Sequence, residues 1–370
     1  MTSSDLYPVS RLAAVQEATA KAGLDALLLT PGPDLRYVSG YDAKPLERLT
    51  CLVVPASGEA YMMVPRLELP AAQASPASRL GLEFVAWDET DDPYAIAAAR
   101  LGKVAGKVGL ADRMWAMSSL RFREALPEAE QVLAGSVLRE LRMRKSPAET
   151  AALREAGQAI DSVHRQVPGL LRAGRTEREV AKDIAEAILA SGHATVDFVI
   201  VASGPNGASP HHDVSDRVIQ AGEPVVVDIG GQLHNGYCSD STRTYSVGEP
   251  PAEFAAYYEV LRQAQDAACA AVRPGVSCES IDAAARDIIA GAGYGEYFVH
   301  RTGHGIGIET HEEPYIVSGN GEPLEPGFAF SVEPGIYLPG RHGARIEDIV
   351  VCTESGGERM NDTPRELVIV

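Results

Sequence analysis

Val225-Val226-Val227-Asp228-Ile229-Gly230 is an apolar, β-branched run closing on an acid, and Ser239-Asp240-Ser241-Thr242-Arg243-Thr244 returns after a turn with hydroxyl side chains. Two such runs read as a β-hairpin. The hairpin sets Asp228 and Asp240 on neighbouring strands. With the loop centred near His234 the two aspartates stand directly opposite, their Cβ atoms roughly 4.5–5.5 Å apart. Ionised carboxylates at that range repel unless a cation lies between them. The Asn235-Gly236 dipeptide offers a different, two-residue turn, which puts Asp240 opposite Gly231 and separates the acids. A metal site therefore requires a longer or bulged loop.

Downstream, Phe330-Ser331-Val332-Glu333-Pro334-Gly335-Ile336-Tyr337 runs through Pro339-Gly340 to Ala344-Arg345-Ile346-Glu347-Asp348. Pairing about Gly340 sets Glu333 across from Glu347, so a second hairpin supplies two more carboxylates. Between the hairpins, Gly303-His304-Gly305-Ile306-Gly307-Ile308-Glu309-Thr310-His311 flanks an imidazole with glycines that let the backbone pass close to its neighbours. Four carboxylates are neutralised by two divalent cations, whereas one cation leaves an excess of about two charges in a low-dielectric site. An oxygen-rich donor set with one imidazole points to manganese first, then to cobalt, iron or zinc, rather than to a thiolate site.

The remaining sequence sets bounds on this reading. A chain of 370 residues exceeds one typical core, so two domains are expected. A net charge of −18 argues against nucleic acid as the main partner. No stretch approaches the roughly 20 apolar residues of a membrane span, and Met1-Thr2-Ser3-Ser4-Asp5 lacks the pattern of a secretory signal. The five cysteines are scattered and unpaired in sequence, which suits reduced thiols. A cytoplasmic protein is the expectation.

Residues 1–140 alternate helical and strand patterns, with a helix over Arg11–Ala22, a buried strand at Asp25–Leu29 and further strands near Leu52, Tyr61, Phe84 and Val108. This is an α/β domain. Ser146-Pro147-Ala148-Glu149 and Thr176-Glu177-Arg178-Glu179 are helix starts of the capping-box type. Helix pair, hairpin, helix pair, hairpin then follow over 141–370, an internal duplication that fits an α+β domain with antiparallel sheet and helices on one face.

With these residues in place, 147–370 resembles the pita-bread metallopeptidases, the family of prolidase, aminopeptidase P and methionine aminopeptidase. The first domain resembles the creatinase/prolidase N-terminal domain through Gly23-Leu24-Asp25-Ala26-Leu27 and Asp34-Leu35-Arg36-Tyr37-Val38-Ser39-Gly40. The resemblance implies that Asp228 chelates one metal, Asp240 and Glu347 bridge the pair, and His304 with Glu333 complete the other. It implies a hydroxide shared by the cations as nucleophile. His211 aligns with a histidine that bonds substrate near the scissile bond, and His311 with one that stabilises the tetrahedral oxygen. Glu333 is the expected proton carrier to the leaving nitrogen, with Arg345 as its anchor. His300 and Arg301 are candidates to line the substrate pocket, Arg301 for a free carboxylate, although a structural histidine and a structural ion pair stay open for them.

The function implied is a dinuclear exopeptidase acting on Xaa-Pro bonds of short peptides, as a dipeptidase or an aminopeptidase P, from a homodimer. The alternatives are a creatinase-like amidinohydrolase that needs no metal and a non-catalytic peptide-binding relative. His212 stays open between site and surface. His164, His193, His234 and His342 are expected at the surface or in loops, and Glu312 with Glu313 as a solvated acidic pair.

Overall fold

The computed structural model describes residues 6–370, and the reading of Met1–Asp5 lies outside them. The chain divides into a first compact unit reaching Arg142 and a second from Met143 to Val370.

The first unit is built on strands β1 (Ala26–Leu29), β2 (Cys51–Pro55), β3 (Tyr61–Pro65), β4 (Glu83–Trp87), β5 (Lys107–Leu110) and β6 (Glu130–Leu133). They form one sheet in the order β4-β3-β2-β1-β5-β6, with β1 antiparallel to β2 and parallel to β5. All four residues of β1 are buried, which explains its unbroken apolar run. The expected helix at Arg11–Ala22 lies at Val9–Lys21.

In the second unit, Ser146 and Thr176 start the helices Pro147–His164 and Glu177–Ala190, each closing a reciprocal capping box with the glutamate three residues on. Strands β7 (His193–Ser203), β8 (Glu223–Leu233) and β9 (Cys238–Val247) follow as an antiparallel sheet. The helices Ala252–Ala271 and Cys278–Gly291 precede β10 (Gly303–Gly305), β11 (Glu312–Ile316) and β12 (Ala329–Val332). Strands β13 (Gly335–Leu338) and β14 (His342–Arg345) form a two-stranded ribbon ahead of β15 (Asp348–Thr353) and β16 (Gly356–Arg359). These give a second sheet, β11-β10-β12-β15-β16, while β17 (Val368–Ile369) lies parallel to β9 at the edge of the first.

Alternation along the strands sets which face each acid takes. Val225, Val227 and Ile229 pack with Ile160, Val163, Ile184 and Ile188 of the first helix pair, so Asp228 points away from the helices. Phe330, Val332, Val350 and Cys352 pack with Phe254, Leu261, Ile281 and Ile289 of the second pair, so Glu333, one residue past β12, and Glu347, one residue before β15, fall in the opposite phase of the alternation. Each buried aliphatic or aromatic side chain contributes about 1.5–3 kcal/mol. A one-residue slip would exchange the apolar set for the acids, which fixes the register.

The first hairpin departs from both sequence readings. Asp228 pairs with Thr242, and Asp240 pairs with Gly230. The turn spans Leu233–Tyr237, because Asn235 Oδ1 accepts the Tyr237 N–H at 3.0 Å, Gly236 adopts φ +96°, and Leu233 N–H reaches Tyr237 O. The Tyr237 hydroxyl donates to Glu149 Oε1 at 2.7 Å and ties this turn to the first helix. The aspartates are therefore diagonal neighbours on one face rather than directly opposite. In the second hairpin, Val332 pairs with Asp348 and Gly335 with Arg345, the register expected about Gly340.

Candidate metal centre

Asp240, His304 and Glu347 each offer a donor atom within 4.8 Å of the others, and all three are buried. His304 Nδ1 lies 3.1 Å from Gly305 O and donates to it, which turns Nε2 toward the acids. That nitrogen is 3.6 Å from Asp240 Oδ2 and 3.2 Å from Glu333 Oε1. The flanking glycines are required here: a Cβ on Gly303 would lie 1.8 Å from Ser331 O, and one on Gly305 2.2 Å from Glu313 O.

Each acid is oriented by a neighbour. Ser331 Oγ donates to Glu333 Oε1 at 3.0 Å, and Thr242 Oγ1 to Glu347 Oε2 at 2.7 Å. Arg345 Nη2 donates to Asp228 Oδ2 at 2.5 Å, but Asp228 Oδ1 is buried with no hydrogen-bond partner. A buried carboxylate oxygen left unpaired is costly. Four acids face one arginine and one imidazole, so the donors fit a divalent cation in both charge and chemistry.

Burial and the charges of Glu347, Asp228 and Glu333 push Asp240 well above the ordinary carboxylate range. Glu347 is raised in the same way, by burial and by Glu333 and Asp228. For Glu333 burial acts upward too, but the hydrogen bond and charge of His304 outweigh it and hold the group down at about 2. Raised acids stabilise the metal-free fold below about pH 4, and that contribution is lost as pH rises through their elevated values. Glu333 contributes stability above its ordinary pKa, lost as pH falls toward about 2. Metal binding must displace the protons, so affinity rises with pH. In chelator, the melting temperature is expected to fall as pH rises above the ordinary carboxylate range and through the elevated values of Asp240 and Glu347, and to stay flat once metal is added. A flat curve for the chelated protein would remove the case for crowded carboxylates.

Beside the acids lies a group of histidines. The His311 ring centroid is 4.0 Å from that of His304, and burial together with the His304 charge brings its pKa down to about 4. His311 is thus a neutral imidazole near pH 7. His211, on the exposed loop after β7, is close enough for its charge to lower the pKa of both His300 and His311. His300 donates from Nδ1 to Arg301 O at 2.7 Å and accepts at Nε2 from the Tyr337 hydroxyl at 2.8 Å. Arg301 makes no ion pair among the described residues. Its guanidinium stacks 4.3 Å from the ring centroid of Tyr315, whose backbone pairs with His304.

Arg345 has a different role from that expected. It is 2% exposed and reaches Asp228, Thr242 Oγ1, the Tyr337 hydroxyl and Pro210 O, with no hydrogen bond to Glu333. Its donors are turned into the protein. Tyr337 and Thr242 are the polar groups that sequence reasoning passed over. Both stand at even spacing from an acid on the same strand or hairpin arm, Glu333 and Asp240, so alternation alone placed them on the site's face.

Several other expectations are corrected. Glu312 is buried rather than solvated, and its Oε1 accepts from Lys145 Nζ at 2.5 Å. His164, His193 and His342 are buried, held by Tyr245, Ser239 and Tyr257 respectively, while His234 is exposed. His212 is half-buried and bonds Glu177 Oε2 at 2.9 Å.

Comparison with known proteins gives two family matches. Residues 151–354 match metallopeptidase family M24, and residues 11–144 match the creatinase/prolidase N-terminal domain. The chain is 56% identical to a probable dipeptidase PepE of Mycobacterium tuberculosis, over 97% of this chain and 96% of that one. It is 36% identical to an Xaa-Pro dipeptidase of Lactobacillus delbrueckii subsp. lactis, over 94% and 95% of the two chains. The crystal structure of dipeptidase PepE from Mycobacterium ulcerans superposes with a TM-score of 0.92 at 56% identity, covering 98% of this chain and 97% of that one. Two matched domains, and carboxylates and an imidazole gathered between two helix-backed sheets, lead to one conclusion: this chain belongs to metallopeptidase family M24 and is a metallopeptidase with a creatinase/prolidase-type N-terminal domain.

Proposed function

We propose that the protein is a dinuclear, manganese-dependent dipeptidase that hydrolyses the Xaa-Pro bond. The observation that carries this reading is the convergence of Asp240, His304 and Glu347 within 4.8 Å beside Glu333 and a half-unpaired Asp228. Asp228 would hold one ion, His304 and Glu333 the other, and Asp240 and Glu347 both. When bound, such ions supply an activated water near neutral pH and polarise the scissile carbonyl.

The chain's own groups do the rest. His311, neutral near pH 7, offers an N–H to the carbonyl oxygen as negative charge develops there. His211 meets substrate from the loop opposite, and Glu333 passes a proton to the leaving imide nitrogen. Proline lacks an N–H and fixes φ, so its bond calls for a dedicated site. Arg301, stacked on Tyr315 without an acidic partner among the described residues, is placed to pair with the free carboxylate of a dipeptide. The names of the relatives, probable dipeptidase and Xaa-Pro dipeptidase, support the dipeptidase over the aminopeptidase P reading. A creatinase-like reaction and a non-catalytic role are disfavoured because none of the five ligand-type residues is missing. Five free thiols support a reducing, cytoplasmic setting, and sedimentation at the mass of two chains would support a homodimer.

The test is manganese-reconstituted hydrolysis of Ala-Pro beside Ala-Pro-Ala, with metal content measured after dialysis. Two equivalents of metal and cleavage of the dipeptide are expected. Preference for the tripeptide would make the enzyme an aminopeptidase, and cleavage of neither would refute the Xaa-Pro assignment. In the same assay Arg301→Ala is expected to raise KM for Ala-Pro by about 10- to 100-fold, the worth of a charged hydrogen bond of about 1.5–3 kcal/mol. An unchanged KM would remove Arg301 from the carboxylate site.

A further inference from the structure

Away from the acids, Glu177 is a fully buried carboxylate at the first position of its helix. Six donor groups converge on it: Ser203 N–H at 2.8 Å and O–H at 2.7 Å, Asn206 Nδ2 at 3.0 Å, His212 Nε2 at 2.9 Å, and Ser215 N–H at 3.2 Å and O–H at 2.6 Å. All belong to the segment from the end of β7 to Ser215, which carries His211 and has only one short 3-10 turn, Gly204–Ala208. A carboxylate accepts at about four lone-pair positions, so its acceptor capacity is filled by this one loop. The loop is also pinned further out. A Cβ on Gly343 would fall 2.1 Å from Gly207 O, and Pro210 O accepts from Arg345 Nη1 at 3.2 Å.

We propose that Glu177 is a positioning residue that gathers the 203–215 loop and thereby sets His211 against the metal centre. His211 itself is exposed and its side chain makes no hydrogen bond or ion pair among the described residues, so its place depends on the backbone on either side. Ser203 and Asn206 fix that backbone before His211, and His212 and Ser215 fix it after. Charge matters as well as shape: an amide in place of the carboxylate would present N–H groups to donors. This inference rests on the reading that His211 meets substrate, although the anchoring of the loop stands without it.

Glu177→Gln is the test, with His211→Ala and the double variant. Hydrogen–deuterium exchange is expected to quicken over residues 204–215 and to stay unchanged in β8, β9 and the helix Pro147–His164. Activity on Ala-Pro, as kcat/KM, is expected to fall roughly 10- to 100-fold in Glu177→Gln. In the His211→Ala background the same change should cost less than about threefold, because the group being positioned is gone. Unchanged exchange in the loop, or equal losses in both backgrounds, would overturn the proposal. If the parent protein cleaves no Xaa-Pro dipeptide, the functional reading fails, while the exchange experiment still decides whether Glu177 holds the loop. Should Glu177→Gln not fold, Ser215→Ala removes one hydroxyl and keeps the charge, and the same pattern is expected at smaller amplitude.

Discussion

Asp240→Asn is expected to lower kcat/KM on an Xaa-Pro dipeptide by at least about a thousandfold while raising the melting temperature of the chelated protein. The first effect follows from the place of Asp240 in the buried cluster with His304 and Glu347. Losing a ligand shared by two ions removes several kcal/mol of transition-state stabilisation, and each 1.36 kcal/mol is about tenfold in rate. The second effect has the opposite sign because the same carboxylate is crowded by Glu347, Asp228 and Glu333 in a buried site. Asparagine keeps the shape and removes one charge. In a unit of this size each kcal/mol of relieved repulsion adds about 2–4 °C. Metal content, kcat/KM and melting in chelator, all on one preparation, check both signs. Wild-type activity would remove Asp240 from the metal centre; a lower melting temperature in chelator would mean that its charge is compensated without metal.

That opposition explains which parts of the molecule could be read from the sequence. Local rules were legible: the capping boxes at Ser146 and Thr176 and the alternation of Val225, Val227 and Ile229 concern neighbours within a few residues. The four acids and His304 were legible because the apolar alternation that buries one face also selects the other. The register of the first hairpin was not, since Asn235 closes the turn with its side chain and Gly236 takes a positive φ, a choice between turn types that the dipeptide leaves open. Buried polar pairs were missed for a different reason. His164 finds Tyr245 81 residues away, and Lys145 finds Glu312 167 residues away. Histidine and glutamate are ordinarily surface residues, and only the fold brings them a partner that makes burial tolerable. Glu177 belongs to the same class. Thr176 and Glu179 close the capping box that marks this helix start, but that motif says nothing of the loop that Glu177, between them, holds.

Arg345→Met is expected to cost about 3–5 kcal/mol of stability in the chelated protein, because it deletes one half of a buried ion pair and strands the other. Arg345 donates to Asp228 Oδ2 at 2.5 Å, and Asp228 Oδ1 is already without a partner. After the substitution neither oxygen would have one. Added metal should recover part of the loss, since a cation satisfies the oxygens that the arginine leaves, so the destabilisation should be smaller in manganese than in chelator. Arg345→Lys separates charge from geometry. A lysine restores a positive charge but lacks the planar fork that spans Asp228, the Tyr337 hydroxyl, Thr242 Oγ1 and Pro210 O. It should therefore recover stability better than it recovers kcat/KM, which is expected to stay about 10- to 100-fold down, the usual cost of losing a group that orients a metal ligand. Unfolding in denaturant with and without manganese, beside kcat/KM for each variant, makes the comparison. Equal stability losses in metal and in chelator would place the role of Arg345 in packing alone, whereas a loss confined to chelator would show that its guanidinium serves as the resident countercharge of Asp228.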